Sequence, residues 1–287
     1  MLKVCFEIHR RCLPEQIGKI FYLRTLTQNL ANMKESKQDV IQLLELPSEP
    51  GLGGVRLLLF DAERLPSHLS FEVGKLLSPA ELRKSAKFRF PKDRLIYLTG
   101  RGMLRKLCGE MLQVPPNEII IKEGQFGKPY LEGFEKKMPF NLSNSGSLIS
   151  IAFEFTEREI GVDIEVIDKT FNYWEMAGYY FSKKECDMVF SHRDFYRFWT
   201  MKEALLKVTG VGLIDDLNTV DLSGRMNRIP TNDERLIPFK DKAFTLYTFD
   251  NEQIAFTIAI SGAQHSDHFV GCMGNKDNLT VRHVYFY

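Results

Sequence analysis

No stretch of this 287-residue sequence is apolar enough for long enough to cross a bilayer. The best candidates, Leu57–Phe60 and Ile254–Ile260, are strand-length, against the ~18 residues a span requires. A disulfide framework is missing too. The five cysteines (Cys5, Cys12, Cys108, Cys186, Cys272) are odd in number, scattered and never spaced as Cys-x-x-Cys, which predicts a reduced, cytoplasmic protein. Lys3, Glu7, Arg10 and Arg11 interrupt the N-terminus, so no apolar core of a secretory leader is expected there. Net charge is only +1, which excludes a histone-like polycation, and 44% hydrophobic with 26% charged residues excludes a disordered or collagen-like chain.

Several familiar catalytic patterns are also absent. Gly51-Leu52-Gly53-Gly54 precedes a strand, whereas a dinucleotide fingerprint follows one. Gly124…Gly127-Lys128 lacks the Ser/Thr of a P-loop, and Pro129 forbids the helix that should start there. His192-Arg193-Asp194 lacks the Asn and the Gly-rich loop of a kinase, no Gly-x-Ser-x-Gly elbow occurs, and His265 and His268 have no cysteine partners for zinc.

At ~150 residues per domain, the length suggests two domains or one duplicated unit. Residues 1–54 form a separate N-terminal extension, with helical patterning at Ile17–Leu30 and Asp39–Leu46 before Pro47, Pro50 and the glycine cluster. The order strand, helices, strands then occurs twice. In 55–155 a strand at Val55–Phe60 and a loop over Asp61–His68 precede helices near 79–88 and 93–112. Ser78-Pro79 supplies N-cap and N1 for the first, Glu81 lies in its first turn, and Pro91 separates the two. Short strands are expected at Ile119–Ile121, Pro129–Leu131 and Leu148–Phe155. In 156–287 a strand at Ile160–Val166 leads to helices at Tyr173–Phe181, Lys183–Phe190 and Asp194–Val208, closed by Gly210 and Gly212. Strands follow at Ala243–Phe249, Gln253–Ile260 and Phe269–Met273. The fold class is therefore α+β, in two similar halves.

Three features carry chemistry. In Gly161-Val162-Asp163-Ile164-Glu165, strand alternation puts both carboxylates on one face and the apolar residues on the other. That is either a solvated acidic face or a site for a hard cation such as Mg²⁺. In Trp199-Thr200-Met201-Lys202-Glu203-Ala204-Leu205-Leu206-Lys207-Val208-Thr209-Gly210, Glu203 and Lys207 are one helical turn apart. They are either an exposed ion pair or a third oxygen ligand, or base, with a lysine beside the same anion. Finally, 83–106 carries nine Lys/Arg (Arg83, Lys84 and Arg94 among them) against Asp93 alone, while 151–175 carries seven acidic residues against two basic. Such a basic stretch suits a solvated helix face, a nucleic-acid patch or a phosphate site, but it has neither a single-strand binder's stacking aromatics nor a DNA-reading motif.

Together, Gly-Val-Asp-Ile-Glu at 161–165 and Trp-x-x-Lys-Glu-Ala-x-x-Lys-x-x-Gly at 199–210 resemble the signature of the 4′-phosphopantetheinyl transferases, and the chain length resembles their Sfp-type, pseudo-dimeric branch. Ser78-Pro79 with Lys84 and Phe88, Gly127-Lys128-Pro129, Phe140-Asn141-Leu142-Ser143 and Phe181-Ser182-x-x-Glu185 are similar to further family segments in the expected order. The resemblance covers roughly 55–275; residues 1–54 fall outside it.

This resemblance implies a pseudo-dimer with the active site at the interface of its halves, and an enzyme of the holo-[acyl-carrier-protein] synthase type. It would transfer phosphopantetheine from coenzyme A to a serine of an acyl or peptidyl carrier protein and release adenosine 3′,5′-bisphosphate. The implied magnesium ligands are Asp163, Glu165 and Glu203. Glu203 doubles as candidate base, and Lys207 faces the phosphates. Arg83, Lys84 and Arg94 would meet the nucleotide's phosphates, and the backbone around Gly127, Lys128, Pro129, Asn141 and Ser143 its adenine and 3′-phosphate end. One position departs. Where the family commonly has a His that contacts the 3′-phosphate, this sequence has Asn144, a neutral donor. The aromatic run Phe171, Tyr173, Trp174, Met176, Tyr179, Tyr180 is core or a docking patch for the carrier. The expectation is a monomer with no nucleic-acid or membrane partner; the alternative is a non-catalytic coenzyme A or nucleic-acid binding protein on the same scaffold.

Overall fold

The computed structural model describes residues 41–45, 54–224, 226–230, 232–262 and 280–286. The expected elements at Ile17–Leu30 and Phe269–Met273, and His265 and His268, lie outside the described residues. Two antiparallel-rich sheets and a set of helices make a mixed α and β fold.

The first sheet has the order β1 (Ile41–Glu45), β2 (Val55–Asp61), β6 (Leu148–Glu154), β5 (Phe140–Ser145). Before it closes, the chain forms α1 (Ser67–Gly74), α2 (Pro79–Ser85), α3 (Pro91–Leu112) and a small hairpin, β3 (Ile121–Glu123) with β4 (Pro129–Leu131). The second sheet runs β7 (Ile160–Val166), β10 (Ile254–Ser261), β9 (Phe244–Asp250), β11 (Thr280–Phe286), β8 (Met226–Asn227). Helices α4 (Tyr173–Tyr180), α5 (Lys183–Cys186) and α6 (His192–Thr209) lie between β7 and β8 in the chain.

Local chemistry explains most of the boundaries. Ser78 caps α2 by accepting from the Glu81 N–H, Glu81 returns the bond to Ser78, and Pro79 occupies N1, as the sequence pattern predicts. Pro91 opens α3 at N1 rather than merely interrupting a longer helix. In α6, Ser191 caps the first turn and Gly210, at φ +74°, ends the last, a left-handed conformation only glycine adopts cheaply. Phe195, Phe198, Met201, Leu205 and Val208 recur at three- and four-residue spacing and are all buried.

Some expectations change. Residues 41–45, expected to be helical, pair with β2 as a strand; short apolar runs are ambiguous by pattern, and the Leu-rich edge of β2 decides the matter. The expected loop over Asp61–His68 is shorter, since Asp61 ends β2 and α1 begins at Ser67, and α5 stops at Cys186 rather than Phe190.

One apolar core runs from the first sheet and α3 through Ile160, Val162 and Ile164 to Phe256, Ile258 and Ile260. A second core packs α6 and α4 on the other face of β9 and β10, through Phe244, Leu246 and Ala259. Strands β7 and β10 are thus covered on both faces, and α6 lies across β7, β10 and β9.

Candidate active site

The two sheets meet along β5 and β7, and side chains rather than backbone join them. The N–H groups of Val162, Ile164 and Val166 donate to Asn141 Oδ1, Ser143 Oγ and Ser145 Oγ at 2.9, 3.4 and 3.0 Å. Alternate residues of β5 thereby satisfy alternate N–H groups on the edge of β7, which would otherwise be buried without partners.

The same hydroxyls reach the carboxylates. Ser143 Oγ donates to Asp163 Oδ1 at 2.8 Å, and Ser145 Oγ to Glu165 Oε2 at 2.6 Å. Lys207 Nζ completes the joint from α6, donating to Asp163 Oδ1 at 2.6 Å and to Ser143 Oγ at 3.0 Å. Lys207 therefore pairs with Asp163 across elements, not with Glu203 one turn away on its own helix. Asp163 is 3% exposed, so the reading of a solvated acidic strand face does not hold.

Helix α6 can come this close because residue 161 is glycine. A Cβ there would lie 2.3 Å from the Ala204 carbonyl oxygen and 2.4 Å from the Val208 nitrogen. The glycine of Gly-Val-Asp is thus a packing requirement for the Asp163–Lys207 contact two residues on. Lys202, the other motif lysine, points away from this joint. It is fully buried, pairs with Glu185 at 2.9 Å, and donates to the carbonyls of Leu217 and Val220.

Electrostatically the site is short of positive charge. Burial pushes the Asp163 carboxyl above its ordinary range, with Lys207 and Ser143 pulling against it. Burial, then Asp163, drive Glu165 up to about 7. Glu203 is raised for the same two reasons, and makes no hydrogen bond or ion pair among the described residues. Asp163 Oδ2 is buried without a partner. Among the described residues no three acidic, His or Cys side chains already converge as a cage. The donor set nevertheless fits a hard divalent cation: oxygen only, three carboxylates to one lysine, and one orphaned oxygen that a cation would satisfy.

The other expected residues lie elsewhere. Gly127, at φ +82°, sits in the β3–β4 turn. Lys128 follows it and leans over Gly210, with Nζ donating to the Val208 carbonyl and to Glu159, both at 3.2 Å, so this lysine tethers the hairpin to the end of α6. Pro129 begins β4. Asn144 is exposed, and alternation puts it on the opposite face of β5 from Ser143. Arg83 and Arg94 are exposed and without an ion pair among the described residues, and Lys84 Nζ bonds Glu123 Oε1 at 2.6 Å. No hydrogen bond or ion pair connects these three cations to the carboxylate cluster.

The basic stretch is less positive than its own count. Arg105 is buried against Glu81 and two carbonyls, Lys92 pairs with Glu63, Lys106 with Glu110, and Arg101 joins Lys84 on Glu123. Nor is it free of surface aromatics, since Phe88 and Phe90 are both exposed. Of the aromatic run after β7, Trp174 and Tyr179 are exposed, whereas Phe171, Tyr173, Met176 and Tyr180 pack on the second core.

Ser145 is a residue of this joint that the sequence reading missed. The Asn-x-Ser-x-Ser alternation at 141–145, matching Gly-x-Asp-x-Glu in period, was the available signal for Ser145.

A fold and site of this kind define a metal-compatible carboxylate centre at the seam of two sheets. Comparison with known proteins gives it a family. Residues 65–156 match the family described as 4′-phosphopantetheinyl transferase, N-terminal, and residues 159–259 match the 4′-phosphopantetheinyl transferase superfamily. The chain is 34% identical over 186 residues to the 4′-phosphopantetheinyl transferase HetI of Nostoc sp., covering 61% of this chain and 78% of that one. It is 30% identical over 183 residues to the mouse L-aminoadipate-semialdehyde dehydrogenase-phosphopantetheinyl transferase, covering 57% and 58%. Over 155 residues it is 30% identical to a phosphopantetheinyl transferase of Thraustochytrium sp., covering 48% and 54%. The chain belongs to the 4′-phosphopantetheinyl transferase family. It spans most of the Nostoc relative but less than two thirds of the other two.

Proposed function

We propose that this protein transfers the 4′-phosphopantetheine arm of coenzyme A to a serine hydroxyl of an acyl or peptidyl carrier protein, as a monomeric enzyme of the holo-[acyl-carrier-protein] synthase type. The observation that carries the reading is the buried Asp163 carboxylate, with one oxygen held by Lys207 and Ser143 and the other left without a partner. A protein that only bound the nucleotide would have little use for three mutually repelling carboxylates at the seam between its sheets.

In the reaction, the carrier serine oxygen forms a bond to the phosphorus bearing the pantetheine arm. The bond from that phosphorus to the bridging oxygen breaks, and adenosine 3′,5′-bisphosphate leaves. Asp163, Glu165 and Glu203 would hold Mg²⁺, which when bound offsets the charge of the pyrophosphate. Glu203 takes the serine proton, directly or through a water. Lys207 offsets charge on the bridging oxygen. Lys84, with Arg83 and Arg94, meets the nucleotide's phosphates. The Gly127–Lys128–Pro129 turn, Asn141 and Ser143 shape the far end of the nucleotide, and the active site lies between the halves 55–155 and 156–287, with 1–54 as an extension.

Asn144, in place of the family's His, weakens discrimination between coenzyme A and its dephospho form. The two inhibiting about equally is the expected result, and full discrimination would overturn that point. The test of the whole reading is incubation with several apo carrier proteins, coenzyme A and Mg²⁺, with intact-mass analysis of the carrier. A phosphopantetheine adduct that chelation suppresses supports it. No adduct on any carrier defeats it, and coenzyme A binding without transfer would leave a non-catalytic binder.

A further inference from the structure

Lys84 on the last turn of α2 and Arg101 on α3 share one anion, and that anion belongs to the protein. Glu123 Oε1 accepts from Lys84 Nζ at 2.6 Å and from Arg101 Nη2 at 3.0 Å, while its second oxygen has no hydrogen bond among the described residues. The ring of Tyr97 lies 5.7 Å from both cationic centres, and the Phe88 ring lies 5.2 Å from it. Glu123 is the last residue of β3, directly before the Gly124–Lys128 turn.

We infer that Glu123 is a built-in counter-anion: in the free protein its carboxylate occupies the Lys84–Arg101 cation pair, and a phosphate of the incoming nucleotide must displace it to bind. The inference rests on the reading above that Lys84 meets coenzyme A phosphates.

The chemistry favours displacement. The side chain of Arg101 is only 11% exposed and so is held in place, whereas those of Lys84 and Glu123 are 48% and 41% exposed. Water screens such a pair, so it breaks cheaply. A phosphate offers more charge and more acceptor oxygens than a carboxylate, and a guanidinium can meet it with two parallel donors. A monoanion gains too little to evict Glu123, so the carboxylate also raises the threshold for binding. The opposing role, in which Glu123 merely positions the two cations, has the opposite sign on affinity.

The test measures binding of coenzyme A and of adenosine 3′,5′-bisphosphate by titration calorimetry, without metal or carrier protein, so catalysis does not enter. Removing one like charge ~4 Å from a phosphate in water should tighten binding of both ligands about fivefold in Glu123→Gln. Glu110→Gln, which frees Lys106 instead, should leave binding unchanged. Adding Lys84→Gln to Glu123→Gln should remove most of the gain. Unchanged or weaker binding by Glu123→Gln overturns the inference. If the wild type binds coenzyme A and modifies a carrier while Glu123→Gln binds no tighter, this inference alone falls; if the wild type binds no coenzyme A, the transferase reading falls with it.

Discussion

Replacing Gly161 by Ala adds one methyl group at the closest approach of β7 and α6, and its effect follows from the distances. The new Cβ would sit 2.3 Å from the Ala204 oxygen, 2.4 Å from the Val208 nitrogen and 3.0 Å from the Lys207 carbonyl carbon. All three are backbone atoms, so no side chain can rotate away. Carbon packs at ~3.5 Å, so strand and helix must separate by roughly 1 Å. Overpacking of this kind costs about 2 kcal/mol, which at about 2–4 °C per kcal/mol for a chain of this size lowers the melting temperature by about 4–8 °C. The same separation stretches the Asp163–Lys207 contact, now 2.6 Å, and a displacement of ~1 Å at a reacting centre can cost up to ~100-fold in rate. Thermal unfolding and initial rates of carrier modification read the two effects together. Gly161→Ser should be at least as damaging. A Gly161→Ala protein with wild-type melting temperature and rate would refute the steric argument and the importance of the Asp163–Lys207 spacing with it.

Lys202→Met leaves Glu185 buried and unpaired and should lower stability by about 3–5 kcal/mol in denaturant unfolding, far more than loss of a surface pair such as Lys169–Glu252. Ser145→Ala removes the hydroxyl that orients Glu165 and should raise the Mg²⁺ concentration for half-maximal activity severalfold, with a smaller change in kcat; equal loss in both would place Ser145 in the chemical step instead. Without metal, Glu165 takes up its proton at about 7 in the folded protein and near 4.5 when unfolded. The folded state then binds more protons between those values, so stability should fall as pH rises from about 4.5 to about 7 and level off above. Glu165→Gln should flatten that slope in melting curves recorded in chelator, and an unchanged slope would show that Glu165 is not buried against Asp163.

Features made by near neighbours were legible in the sequence. Ser78-Pro79-x-Glu81 announced its own helix cap, the alternation of 161–165 placed both carboxylates on the α6 face, and Gly210 ended α6 as its position suggested. Features made by distant partners were not. Lys207 had a local partner in Glu203, yet bonds Asp163, 44 residues away. The basic stretch counted as strongly positive because Glu63, Glu81, Glu110 and Glu123 all lie outside it, and five of its cations pair with them. The strand at 41–45 needed β2 beside it before its apolar run had a direction. The role of Gly161 was hidden for the same reason, since a glycine reveals a close approach only when the approaching helix is known.

The claim at the centre is that Asp163, held by Lys207 and Ser143, forms the transfer site. Intact-mass analysis of an apo carrier protein after incubation with coenzyme A and Mg²⁺ tests it most directly when wild type and Asp163→Ala are run side by side, each checked by its melting curve. The expected result is a phosphopantetheine adduct with the wild type and none with a folded Asp163→Ala protein. An adduct formed at wild-type rate by Asp163→Ala would contradict it.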